Sequence, residues 1–260
     1  RLAVLYTPIP GHTLRAQASV AYRPPTLFET YEDVRLNPLV ANPFFPTSNP
    51  ITGSRNLHPE KIVSYELGYQ GWFYRHRIRV RADLFFNRIS NLISLESTSI
   101  MTTTVNSDKT DIYGGEAGVE FQAASWLTSF ANYSFQEIER NITGLGRRGA
   151  PQSKFNAGLR GEWDNGISGE VVLHYIGPAA YPLAQSFDIF GRSPGTRVSD
   201  YTLLNFRTGY RFWENETAAG HRQSAEAAVS VFNALDDGHR EHPLGDLIER
   251  RVMAWLTLKL

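Results

Sequence analysis

The sequence predicts an all-β fold: an antiparallel up-and-down sheet of about eleven strands, built as a transmembrane β-barrel. Three observations predict it. Apolar and polar residues alternate with period two along most of the 260 residues, and a strand sends such alternating side chains to opposite faces. Most of the alternating segments run to roughly ten residues or more, where strands of ordinary globular proteins run to about 5–6. Short and long connections take turns, which is the rhythm of a meander with one trimmed end and one elaborated end.

The elements follow in order. Residues 1–6, RLAVLY, read as the middle of a strand, so the expectation is a piece of a longer chain. TLRAQASVAY (13–22) sets Leu14, Ala16, Ala18, Val20 and Tyr22 against Arg15, Gln17 and Ser19. VSYELGYQ (63–70) sets Val63, Tyr65, Leu67 and Tyr69 against Ser64, Glu66 and Gln70. In RIRVRADLFF (77–86), Ile78, Val80, Ala82, Leu84 and Phe86 oppose Arg77, Arg79, Arg81 and Asp83. DIYGGEAGVEFQ (111–122) sets Tyr113, Ala117, Val119 and Phe121 against Glu116, Glu120 and Gln122. KFNAGLRGEW (154–163), YTLLNFRTGYRFW (201–213) and IERRVMAWLTLKL (248–260) repeat the pattern, and 126–138, 167–177 and 223–233 carry weaker versions. No comparable stretch shows helical spacing.

Short connections are expected at 8–13, 72–76, 123–125 and 164–166, with 213–223 a longer member of the set. Long ones are expected at 24–58, 96–109, 139–151, 178–199 and 234–247.

Bulk properties exclude several classes. Formal net charge is +0, so no global field recommends a nucleic-acid partner. No cysteine is present, which removes disulfide frameworks and thiolate metal sites. No apolar run is long enough for a membrane helix. A closed barrel satisfies every backbone hydrogen bond internally, turns its apolar parity to lipid and its charged parity to a wet lumen. A soluble sandwich also alternates, but with one face buried on a second sheet. Tyr22, Trp72, Phe73, Trp126, Trp163 and Trp213 fall at strand ends, where rim girdles place aromatic rings.

Beyond periodicity, RPPTLFE (23–29), NLHPEKIVSYELGY (56–69), LFFNRISNLI (84–93), YGGEAGVEF (113–121) and VFNALDD (231–237), followed by a closing amphipathic strand, stand in one order across nearly the whole chain. This series resembles the C-terminal half of the β-barrel of TonB-dependent outer-membrane receptors. The resemblance implies that residues 1–260 are about the last eleven of twenty-two strands, with the plug domain absent from this stretch. It implies a Gram-negative outer membrane, with short turns periplasmic and long loops extracellular. It also implies active import of a scarce ligand, a ferric siderophore foremost, energised by the TonB complex acting through the plug domain of the same chain. Outer-membrane lipid is the remaining partner, and neither cofactor nor nucleic acid is implied. Two other functions fit the pattern: a passive porin-like channel, and a soluble carbohydrate-binding β-sandwich. Members of the family usually end in an aromatic residue read by the assembly machinery, whereas this chain ends in Leu260.

Candidate site residues follow. Arg79, Arg81, Asp83, Glu116, Arg160 and Arg207 are expected to line the lumen. Phe28, Tyr31, Arg35, Tyr181, Phe187, Phe190 and Arg192 are candidates for ligand contact, because aromatic rings and guanidinium groups in outer loops suit an anionic, ring-bearing ligand. Pro24 and Pro25 should end strand pairing, with Arg23 and Glu29 forming an ion pair at the rim. Asp236, Asp237, His239, Glu241, His242 and Asp246 have metal-ligating chemistry, but Gly238, Pro243 and Gly245 favour a solvated turn. Glu116 and Glu120 share a face as an acid pair would, and every other strand carries similar charge there, so wall charge is the expected reading. The chain contains no nucleophile elbow, phosphate-cradling glycine loop or zinc-protease helix motif, and no enzymatic activity is expected.

Overall fold

The computed structural model describes residues 1–34, 50–97, 101–140, 150–181, 197–216, 222–243 and 245–259. Its strands are β1 (Leu2–Ile9), β2 (His12–Arg23), β3 (Asp33–Val34), β4 (Ile51–Thr52), β5 (Glu60–Phe73), β6 (Ile78–Ser97), β7 (Thr102–Ala124), β8 (Leu127–Arg140), β9 (Ser153–Glu162), β10 (Ile167–Ile176), β11 (Ala179–Ala180), β12 (Arg197–Val198), β13 (Tyr201–Glu216), β14 (Arg222–Phe232) and β15 (Arg251–Lys259). One helix, α1 (Leu27–Tyr31), follows β2. β2 ends at Arg23, immediately before Pro24 and Pro25, which have no N–H to continue the ladder.

The long strands form one sheet in the order β1-β2-β5-β6-β7-β8-β9-β10-β13-β14-β15. Every pairing along that path is antiparallel. β1 and β15 are its two edges and do not meet. Sequence neighbours pair with each other, so each connection has only to reverse direction.

Register carries the alternation from strand to strand. Val4 opposes Ala16, Ala16 opposes Leu67, and Leu67 opposes Leu84. One face of the sheet is therefore apolar from edge to edge. The other carries Arg15, Glu66, Arg79, Arg81, Asp83, Glu116, Glu120, Arg160, Glu170, Arg207 and Glu226, all on the opposite parity.

The apolar face is uncovered. Leu67, Leu84, Leu256 and Leu258 are each about three-fifths exposed, and the buried apolar residues among those described are only Ala179, Val198, Ala225 and Ala228. In water, each such leucine would forgo about 1–2 kcal/mol of burial. Among the described residues no second sheet packs on this face, which removes the sandwich. The solvent that suits this face is hydrocarbon.

The apolar face has a visible outer limit. On β6 it runs from Ile78 to Phe86 and then meets Arg88. Arg88 donates two hydrogen bonds to the cross-strand carboxylate of Asp111, at 2.9 and 2.8 Å. The span below that pair is close to the 9–11 residues with which a tilted strand crosses a bilayer.

β6 and β7 continue well past this limit, at 20 and 23 residues. Much of 96–109, expected as a long loop, is thus strand: β7 begins at Thr102. The period-two signal fails there because Thr102–Ser107 stand above the hydrocarbon, where neither face needs to be apolar. A register shift at Ile89–Leu92 marks the change, with Asn91 at φ 56°, a bulge conformation that asparagine tolerates.

At the opposite ends of the strands, Trp126 and Trp163 stack with ring centroids 5.4 Å apart. The Trp163 ring lies across Gly161, where an added Cβ would come within 2.8 Å of it. Glycine is what lets the indole lie flat on the sheet.

Candidate functional site

The charged face is organised by cross-strand pairing. Arg15 on β2 reaches over β5 to Asp83 on β6 at 2.9 Å and also meets Glu66 at 3.3 Å. Arg79 pairs with Glu120 at 2.9 Å, and its guanidinium lies 5.5 Å from the Trp72 ring centroid. Arg160 pairs with Glu170 at 3.1 Å, and Arg207 with Glu226 at 2.8 Å. These side chains remain roughly a third to a half exposed, so each pair contributes at most about 1 kcal/mol. Their main effect is to set the potential of a wet surface.

The six predicted wall residues all lie on this face, three at one recess, two at a second and Arg79 at neither. Arg81, Asp83 and Glu116 line a recess of about 350 Å³ with Asn132, Ser134 and Asn156. Asp83 and Glu116 are direct cross-strand neighbours, and of the two only Asp83 is matched to an arginine. Arg160 and Arg207 line a second recess of about 350 Å³ with Glu170, Arg211 and Glu226. Parity along one strand missed Arg15 and the partner carboxylates Glu66, Glu170 and Glu226 as site residues, because pairing depends on strand order and register.

The expected outer-loop residues divide differently. Phe28 and Tyr31 lie on α1, both well exposed, and the Arg55 guanidinium sits 5.1 Å from the Tyr31 ring centroid. Tyr181 donates a hydrogen bond to the Glu241 carbonyl at 3.0 Å and meets the His242 ring edge-on at 4.6 Å. It therefore joins the strand end after β10 to the stretch that follows β14, and none of its described contacts is to α1. Arg35, Phe187, Phe190 and Arg192 lie outside the described residues.

The histidine- and carboxylate-rich stretch 236–246 does not gather as a metal centre. Among the described residues no group of three or more potential ligands converges. Asp236 binds Arg250 at 2.7 Å, and His239 Nδ1 donates to the Asp237 carbonyl at 3.0 Å while its ring stacks on Tyr201.

The Arg23–Glu29 pair is present at 3.0 Å and is larger than expected. Arg23 Nε also donates to Glu60 on β5 at 2.6 Å. Glu29 accepts from the backbone and hydroxyl of Thr26, at 2.7 and 2.9 Å, closing a capping box at the start of α1. Glu60 accepts the Ile93 N–H of β6 at 2.8 Å.

Hydrogen bonds from Arg23 hold both carboxylates below their ordinary value of 4.5. Their contribution to docking α1 is present above pH 4.5 and fades as pH falls toward the lowered values. Glu32, the C-cap residue of α1, is pushed above 4.5 by burial, so its protonation works the other way and the acid loss is carried by Glu29 and Glu60. A fluorophore at Leu27→Cys in the full-length protein should give constant emission between about pH 5 and 8 and change only below that window. A transition centred above about pH 6 would contradict this assignment.

A single-layer amphipathic sheet, apolar toward lipid and ion-paired on its other face, defines an outer-membrane β-barrel wall. A profile of the family described as TonB dependent receptor-like, beta-barrel matches residues 1–234, and the chain belongs to that family. Barrels of this family lie in the outer membrane of Gram-negative bacteria and transport rather than catalyse.

The fold is similar to that of a variant of the ferric enterobactin receptor PfeA from Pseudomonas aeruginosa in complex with enterobactin, with 17% identity and TM-score 0.72 over 98% of this chain and 39% of that one. It is similar to the copper transporter OprC, with 17% identity and TM-score 0.70 over 98% and 38% of the two chains. It is also similar to the ferric-catecholate import receptor Fiu from K12 E. coli, with 16% identity and TM-score 0.64 over 98% and 33%. The chain therefore spans less than two-fifths of the length of these structures.

Proposed function

We propose that residues 1–260 form the C-terminal part of the barrel of a receptor that binds and imports a scarce ligand, a ferric siderophore, using energy delivered through TonB. The observation that carries this reading is the uncovered apolar face backed by an ion-paired face across eleven consecutive strands, in a chain of this family. Three of the structurally similar proteins are named for iron chelates or copper, which supports a metal-bearing ligand.

The working division follows from the geometry. Phe28, Tyr31 and Arg55 at the outer end offer two rings and a guanidinium to a chelate bearing rings and negative charge. The paired charges of the inner face form the lumen wall, against which a plug domain of the same chain would seat. Arg81 and Glu116, which have no ion pair among the described residues, are the groups best placed to find partners there. Energy transfer enters through the plug, so none of these 260 residues performs a chemical step.

The test is uptake of radioiron by cells carrying the full-length protein, with iron offered as a catecholate chelate and as a hydroxamate chelate. Saturable uptake that disappears in cells lacking TonB is expected. Non-saturable passage of small solutes, indifferent to TonB, would instead establish a passive pore.

A further inference from the structure

We infer that Arg23 is a positioning residue for ligand capture, holding the exposed side chains of α1 in one orientation over the outer end of the sheet. This rests on the transport reading.

The helix poses a physical problem that Arg23 solves. It has five residues and none is buried. A segment so short does not hold a helix by itself in water, and with no buried apolar face it gains nothing from core packing. Leu27, Phe28 and Tyr31 are 80%, 66% and 59% exposed, so burial of its largest apolar groups does little for the helix or its docking, and the Tyr31 ring adds only its contact with the Arg55 guanidinium. What holds it is polar.

One guanidinium binds both oxygens of Glu29 on the helix, at 3.1 and 3.0 Å, and with its Nε binds Glu60 on the strand wall at 2.6 Å. A planar fork of this kind fixes direction as well as distance, which an ammonium cannot do. The same Glu29 carboxylate closes the capping box, so the start of the helix and its attachment to β5 share one group. Pro24 and Pro25 link Arg23 to Thr26 through a stretch with two fixed φ angles.

The far side is held by backbone: Gly53 N–H donates to the Glu32 carbonyl at 2.7 Å, and Ser54 N–H to the Glu29 carbonyl at 3.0 Å. Asn106 completes the frame. Its side chain accepts the His58 N–H at 2.7 Å and donates to the carbonyls of His58 and Asn91 at 2.9 and 2.7 Å, tying the return of the segment to the β6–β7 ribbon. Apolar groups held rigidly in the open by charge-assisted bonds are preorganised for a partner, because their ordering cost is met before binding.

The experiment uses the full-length receptor in bilayer vesicles, spin-labelled at Leu27→Cys and Lys109→Cys, with a control pair at Glu96→Cys and Lys109→Cys on the ribbon. The parent should give a narrow distance distribution for the first pair. Arg23→Gln and Glu60→Gln should broaden it and leave the control pair unchanged, and Arg23→Lys should fall between. An unchanged first distribution in Arg23→Gln overturns the inference whatever the ligand is.

The functional readout is radioiron uptake. For a chelate the parent transports, Arg23→Gln should raise the half-saturation concentration roughly tenfold while the maximal rate per receptor stays within about twofold. A fall in maximal rate alone would assign Arg23 to structure and not to capture. A parent that transports neither catecholate nor hydroxamate iron would sink the transport reading while leaving the distance result to decide the role of Arg23 in placing α1.

Discussion

Leu84→Arg is expected to destabilise the assembled protein by about 1–4 kcal/mol, between the cost of arginine on the lipid face of a barrel at the bilayer midplane and its smaller cost toward the interface. Leu84 lies within the apolar run from Ile78 to Phe86, one apolar position inside its outer end, is flanked across the sheet by Leu67 and Gly115, and is 63% exposed. The sign of the effect is diagnostic. On a water-facing surface an arginine at so exposed a position is close to neutral and improves solubility, since surface substitutions usually stay within about 0.5 kcal/mol. In hydrocarbon the same guanidinium must bring water with it or stretch to the headgroups.

The measurement is the urea midpoint of the full-length protein folded into phosphatidylcholine vesicles, read by tryptophan fluorescence. Arg88 supplies the internal comparison. It already carries a guanidinium on this face, but at the outer limit and bound to Asp111, so Arg88→Leu is expected to move the midpoint much less. A Leu84→Arg midpoint within error of the parent would refute the assignment of this face to lipid.

How much could be read from sequence depends on whether one strand suffices. Alternation in residues 77–86 reports both faces without knowledge of any neighbour, which is why the architecture and the side occupied by Arg79, Arg81 and Asp83 were legible. Arg15 was legible as inward but not as the partner of Asp83, because that contact crosses β5 and exists only in one register. The span from 96 to 109 misled for a different reason. A strand above the hydrocarbon has no apolar face to betray it, and Thr102–Asn106 read as loop although they pair across to Ser97–Ile93. The α1 helix was invisible as a helix because five residues are too few for a 3.6-residue period to register; its signature is the Thr26–Glu29 spacing of a capping box behind two prolines. Phe28 and Tyr31 were identifiable as exposed rings, while the network that orients them needs Glu60 and Ile93 from other strands.

Gly114, on the inward parity of β7, has a specific steric duty. An added Cβ at Gly114 would fall well inside contact of the Phe135 carbonyl oxygen, at 2.8 Å from Cζ of Phe85 and at 3.0 Å from the Gln136 Cα. Two of those neighbours are backbone and cannot rotate away. Gly118 is on the same strand and the same face, yet its Cβ would meet chiefly the tip of the Asn132 side chain, at 2.5 Å, and that amide can swing into the adjacent recess.

Gly114→Ala is therefore expected to cost about 1–3 kcal/mol, the usual penalty for forcing atoms into a filled space. Gly118→Ala should be neutral or slightly stabilising, since alanine restricts the unfolded chain by about 0.4–1 kcal/mol relative to glycine. The two variants differ by position alone, so hydrophobicity, helix propensity and expression level cancel in the comparison. Urea midpoints in vesicles would separate them, and equal shifts would mean that the Gly114 contact does not decide stability. The strain should also be felt nearby. Gly114 is two residues from Glu116, directly across from Phe85, and a backbone that yields at 114 moves the Glu116 carboxylate relative to Arg81 and Asp83. On the transport reading, Gly114→Ala should thus weaken seating of the plug as well as the barrel, visible as faster protease cleavage of the plug in folded vesicles, whereas Gly118→Ala should leave that rate alone.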